Sequence, residues 1–168
     1  MGMAQILGLG LRGFQFLMSL FIMAIIGNAI AMGADSSINN YTMFCAAFAM
    51  LCLFFLIPAT FNERFAVHGA LPLALDVLIT LFWFCAAVAL AAKLGVHSCS
   101  NDRYVRSNSV IRGASDQSAA CREAQASCAF LWFGFAAFVV TTALSATGMS
   151  GSSAPKGGVR RGPAMSQV

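Results

Sequence analysis

Charge is what this sequence has least of. Asp, Glu, Lys and Arg make up 10 % of its 168 residues, six acids and ten bases, where a soluble domain carries about 25 %. With hydrophobic residues at 59 % and a mean hydropathy of +0.78, that supply cannot clothe a globule in water. A net charge of +4 spread over loops and a short tail forms no basic groove, which excludes nucleic-acid binding as a primary role. Strict apolar–polar alternation is also missing, so a transmembrane barrel is disfavoured. The chain has no G-x-S-x-G, no H-E-x-x-H, no phosphate loop and no intramembrane His/Asp pair. An enzyme is therefore the least favoured class, and no cofactor is expected. His97, Cys99 and Cys121 would give a metal three ligands without a C-x-x-C or H-x-x-x-H frame, and His68 reads as an ordinary interfacial histidine.

What the chain does have is long uncharged runs. A bilayer core of about 30 Å takes about 20 helical residues to cross, and four runs reach that length. They give predicted spans over 10–32, 41–61, 72–94 and 123–147, followed by a Gly, Ser and Pro-rich tail over 148–168 that cannot bury enough apolar surface to fold. The expected fold class is an all-α membrane protein, a four-transmembrane-helix bundle. The first run is longer than a signal-peptide core and is read as a retained helix. Ile6 stands where an N-myristoylation signal at Gly2 wants Ser or Thr.

Lysine and arginine do not decide the orientation. With both termini inside, Arg12, Arg64, Lys156, Arg160 and Arg161 face Lys93, Arg103, Arg106, Arg112 and Arg122 across the membrane. Two other features favour cytosolic termini. Cys99 and Cys121 flank the third connection near its membrane ends, as a disulfide on the oxidising side would, and Asn40-Tyr41-Thr42 is a glycosylation pattern on that same side. Cys45, Cys52, Cys85 and Cys128 fall inside spans, as free thiols packed like small hydrophobes.

Asp76 is the one ionisable group well inside a span, so it is a functional candidate by default. One reading makes it part of a proton or cation path, in a small transporter or channel. The other starts the third helix at Pro72, puts Asp76 in the first turn about 6 Å from the cytosolic end, and pairs it there with Arg12 or Arg64. Asn28 and Thr80 are expected to hydrogen-bond between helices. Gly27 with Ala31, and Ala87 with Ala91, stand four apart, which predicts close helix packing. Lys156, Arg160 and Arg161 are candidate contacts for anionic lipid.

The layout of four spans with two short connections and a longer, cysteine-bearing third resembles that of MARVEL-type tetraspan proteins. More specifically, HSCSNDRYVRSN at 97–108, CREAQASCAFLWF at 121–133, NYTMFCAAFAM at 40–50, LDVLITLFWFCAAV at 75–88 and the closing Ser166-Gln167-Val168 are similar to the fungal non-classical export protein family. The resemblance implies residence in the fungal plasma membrane, in furrow-like microdomains with eisosome proteins, a response to sphingolipid levels, and a link to export without a signal peptide. It also implies that Cys99 and Cys121 match the family pattern, and it carries over no catalytic residue. The expected function is a tetraspan scaffold that sorts lipid and organises a plasma-membrane domain. Its expected partners are membrane lipids (sphingolipid, sterol or anionic lipid), further copies of itself and, by resemblance, eisosome proteins.

Overall fold

The computed structural model describes residues 3–61 and 70–152. Five helices follow one another: α1 (Met3–Ala31), α2 (Ser37–Phe61), α3 (Ala70–Leu94), the short α4 (Asp102–Ser107) and α5 (Gln117–Ser152). Four of them are long and apolar enough to cross a membrane. Helix is what lipid demands, because it satisfies every backbone amide internally. The long helices pack as a ring, α1 on α2, α2 on α3, α3 on α5 and α5 on α1; among the described residues the backbones do not approach across the diagonals, and α1 reaches α3 through the Arg12–Asp76 side chains.

Each long helix turns one stripe inward. Ile22 and Ile26 of α1, Leu53 of α2, Trp83 and Leu90 of α3 and Phe138 of α5 are fully buried. Outward stand Leu17 and Phe21, Leu51 and Phe54, Leu81 and Phe84, and Phe133 and Val140. Large apolar side chains facing away from the core on all four helices mark a surface meant for hydrocarbon.

The helices run past the predicted span limits. α1 begins at Met3, upstream of Arg12, so Arg12 lies within the helix and does not mark its edge. α2 starts at Ser37 because the Ser36 hydroxyl accepts the N–H of Asn39 at 3.1 Å, an N-cap. α3 starts at Ala70, since a proline is tolerated in a first turn. α5 starts at Gln117, where Asp116 accepts the N–H groups of Ser118 and Ala119, each at 3.0 Å. Those bonds, Ala119's foremost and then the Ser118 hydroxyl, hold the Asp116 carboxyl below its ordinary range. The backbone of α5 stays helical to Ser152, five residues into the predicted tail.

The predicted packing pairs are only partly where helices meet. Ala87 is buried and Ala91 half-buried on α3, but Ala31 faces outward, and a Cβ on Gly27 would meet nothing closer than Met43 Cε at 3.9 Å. The tight approach is at Gly134 of α5, where a Cβ would collide with the indole ring of Trp83. That ring fills the space a side chain would need and lies edge-on to Phe138, with centroids 5.1 Å apart. Overpacking of this kind typically costs about 1–3 kcal/mol, so Gly134 seats the largest buried side chain of the bundle.

Candidate functional site

Two polar constructions stand out in this apolar body, one near each end. The first is built on α1, α3 and α5. Asp76 is completely buried, about 9 Å along the axis from Ala70 at 1.5 Å per residue. Arg12 is 4 % exposed, and its guanidinium grips the carboxylate with both nitrogens, Nη1 to Oδ1 at 2.5 Å and Nη2 to Oδ2 at 2.6 Å. The Ser145 hydroxyl donates to Oδ2 at 2.9 Å, so α5 closes the carboxylate from its third side.

The network continues outward from the pair. Arg12 Nη1 also reaches Gln15 Oε1 at 3.3 Å, and the Gln15 amide donates to the Thr141 hydroxyl at 2.9 Å. Thr80 bonds the Asp76 carbonyl at 2.6 Å and meets the Thr142 hydroxyl at 3.1 Å, which ties α3 to α5. Among the described residues, the buried side-chain atoms without a partner are Asn39 Oδ1, Thr42 Oγ1, Trp83 Nε1, Glu123 Oε2 and Ser127 Oγ. None belongs to this cluster. Its charges are matched and both carboxylate oxygens accept hydrogen bonds, which favours persistence of a buried ion pair.

The structure pairs Asp76 with Arg12, one of its two candidate partners, and places it about 9 Å along α3 where a start at Pro72 gave about 6 Å. The carboxylate is not at an exposed interface but inside the bundle, and Arg12 holds it. Arg64, the other candidate partner, lies outside the described residues, as do His68, Lys156, Arg160 and Arg161.

The second construction closes the opposite end. Cys99 and Cys121 are joined by a disulfide, with their Cα atoms 5.7 Å apart, and it pins the start of the third connection to α5. The two sulfurs hold each other, so the His97, Cys99 and Cys121 metal triad has no thiolate to offer. His97 instead stacks on Tyr104, ring centroids 4.6 Å apart. Among the described residues no three His, Cys, Asp or Glu side chains cluster as metal ligands. Tyr104 donates its hydroxyl to the Leu94 carbonyl at 2.6 Å, and the Asn108 amide donates to the Lys93 carbonyl at 2.7 Å. Together they satisfy two carbonyls at the end of α3 that the helix itself leaves open. Burial pushes the Tyr104 phenol up from its ordinary range.

The first and third connections are also sewn together. Ser115 N–H donates to the Met32 carbonyl at 2.8 Å, and the Asn39 amide spans the Ala34 and Val110 carbonyls at 2.7 and 3.1 Å. The backbones of Gly33 and Gly113 meet there, and a Cβ on Gly33 would stand 2.6 Å from the Gly113 carbonyl oxygen. Asn28 links α1 to α5 through Glu123 Oε1 at 2.6 Å. Asn40, the candidate glycan acceptor, sits in the first turn of α2 with its amide on Asp35 at 2.6 Å, and Thr42 of the same pattern is fully buried. The pattern thus sits on a helix, with Asn40 exposed and Thr42 turned into the bundle.

The MARVEL membrane-associating domain matches residues 5–144, which takes in most of all four long helices and every member of the two polar constructions except Ser145. The chain belongs to this family. Within it, the MARVEL bundle is 36 % identical over 168 aligned residues to Non-classical export protein 102 of Candida albicans, covering 94 % of this chain and 95 % of that one. It is 37 % identical over 115 residues to Non-classical export protein 2 of Saccharomyces cerevisiae, covering 68 % and 64 % of the two chains. A Schizosaccharomyces pombe homolog of the latter is 25 % identical over 133 residues, covering 77 % and 71 %. No solved structure matches. The MARVEL assignment makes this a multi-pass membrane protein related to the fungal non-classical export proteins. The sequence had pointed to Asp76 and the two cysteines, but not to Ser145, Gln15, Thr141, Tyr104 or Asn108. Polar residues recurring on α5 at Thr141, Thr142 and Ser145, facing an acid on α3, were the signal available.

Proposed function

We propose that the protein is a non-enzymatic scaffold that organises a domain of the fungal plasma membrane by sorting lipid around itself, responding to sphingolipid and meeting eisosome proteins. No cofactor is needed for this. The observation that carries the reading is the contrast between inside and outside: the charged pair within the bundle is fully engaged, while every long helix offers large apolar side chains outward. Such a surface acts through lateral contacts. Mismatch is worth fractions of a kcal/mol per Å, and such small preferences add up when copies cluster, so self-association is part of the proposal. The names of the relatives add a link to non-classical export.

A fluorescent fusion in a fungal cell tests the reading. It is expected to mark discrete patches in the plasma membrane and to lose that pattern when sphingolipid synthesis is blocked. An even distribution that the inhibitor leaves unchanged would reject the organiser.

The disulfide supports the orientation of the proposal, because such bonds persist on the oxidising side. The termini and the α2–α3 connection then face the cytosol, where Lys156, Arg160 and Arg161 can hold anionic headgroups. On intact cells a membrane-impermeant thiol reagent is expected to label Ser37→Cys and to miss Ser152→Cys. The reverse pattern would invert the protein.

A further inference from the structure

The disulfide-bearing end contains a cleft of about 490 Å³ between the α1–α2 connection and the α4–α5 connection. Its wall includes Asp35, Ser37, Ile38, Lys93, Ser109 and Arg112. Lys93 closes α3 and Arg112 stands in the connection opposite. Both side chains are exposed, and among the described residues neither has an ion-pair or hydrogen-bond partner. The acid on the wall, Asp35, is engaged by the Asn40 amide.

The cleft is also held in shape. Asn39, 1 % exposed, bridges Ala34 on the wall to Val110 beside Ser109, and the Ser115–Met32 bond and the Gly33–Gly113 contact lock the two connections together. Among the described residues, the backbone N–H groups of Ser37 and Ile38, at the start of α2, have no acceptor. Two unpaired cations, two free N–H groups and two serine hydroxyls thus converge on one rigid cleft. It lies where α2 begins and α3 ends, at the ends of two helices long and apolar enough to cross a membrane. A tetrahedral oxyanion suits that donor set, with cations for its charge and N–H groups for its oxygens.

We propose that this cleft binds the phosphodiester of a membrane lipid whose headgroup carries net negative charge, clasped by Lys93 and Arg112, with the acyl chains of the lipid running beside the bundle. The proposal deepens the scaffold reading by giving it a specific lipid contact, and it relies on that reading only for its cellular purpose.

The test uses the full-length protein in mixed vesicles of phosphatidylcholine and phosphatidylinositol, extracted into mild detergent, with retained lipid measured by native mass spectrometry. The wild type is expected to keep phosphatidylinositol over phosphatidylcholine. Replacing both Lys93→Gln and Arg112→Gln is expected to lower that preference by about tenfold or more, at roughly 1 kcal/mol for each cation near the surface, a unit that converts to about fivefold. Asp35→Asn, which removes the acid from the wall, should raise it. Equal retention by the wild type and the double variant, with both folded by thermal melt, would overturn the proposal. Binding of free inositol phosphate by the wild type, lost in the double variant, with no phosphatidylinositol retained would overturn the lipid as the source of the anion. A uniform fluorescent fusion in cells alongside selective retention in vesicles would reject the scaffold and leave the cleft standing.

Discussion

Asp76→Asn is expected to destabilise the bundle by about 3–5 kcal/mol, the loss seen when one partner of a buried ion pair is removed. The substitution leaves the Arg12 guanidinium 4 % exposed in a low-dielectric interior, facing a neutral amide. An interfacial carboxylate would give a modest effect, because water would take over the cation. Arg12→Gln should cost a similar amount for the opposite reason, since Asp76 would then keep only the Ser145 hydroxyl. The pair replaced together, Arg12→Met with Asp76→Leu, should recover most of the loss, because no charge remains to be stranded. A double-mutant cycle read by thermal unfolding in detergent checks this. Additive single and double losses would mean that the two residues do not act on each other.

Removing the disulfide is the second large effect. Cys99→Ser with Cys121→Ser is expected to cost about 3 kcal/mol, the chain-entropy value for a closed loop of this length, with a separation of 22 residues. The loss should concentrate at the loop end. There Tyr104 and Asn108 cap α3 and Asn39 holds Val110 only while the third connection stays folded back. Hydrogen exchange would then rise across residues 95–116 and the last turn of α3, while the Arg12–Asp76 end stayed protected. Uniform loss of protection along all four helices would contradict a local staple. Free thiols at both positions in unreduced peptides would remove the bond itself.

The four crossings were legible because hydrocarbon thickness sets a length that only long uncharged runs meet, and the helices cover those runs. Their ends were not, since a terminus depends on a cap. Ser36 and Asp116 start their helices by accepting particular N–H groups, and a hydropathy profile carries no trace of that. The start of α3 was misplaced for a related reason. Pro72 was read as the start, although a first turn tolerates proline and the helix begins at Ala70, which puts Asp76 about 9 Å along it rather than about 6 Å. Asp76 itself was conspicuous as a lone intramembrane acid; Ser145 and Gln15 were not, since small and polar residues are common in spans.

Small residues spaced by four pointed to Gly27 and Ala31, which do not make the close contact. Gly134 does, and its neighbours four residues away are Phe130 and Phe138, so no spacing rule finds it. Its partner is an indole ring rather than another backbone. The short helix α4 and the tyrosine cap it delivers were likewise hidden in a connection that reads simply as polar. Asn101 begins that helix by accepting the N–H groups of Arg103 and Tyr104, at 3.2 and 3.3 Å.

The central claim is that the charge inside this bundle is structural and that the protein works through the surface it shows to lipid. Ion flux through liposomes containing the purified wild-type protein tests it most directly. The account predicts proton, sodium and potassium fluxes no greater than those of protein-free vesicles, at every protein-to-lipid ratio. Flux that rises with the amount of protein would contradict it and make Asp76 part of a conduction path.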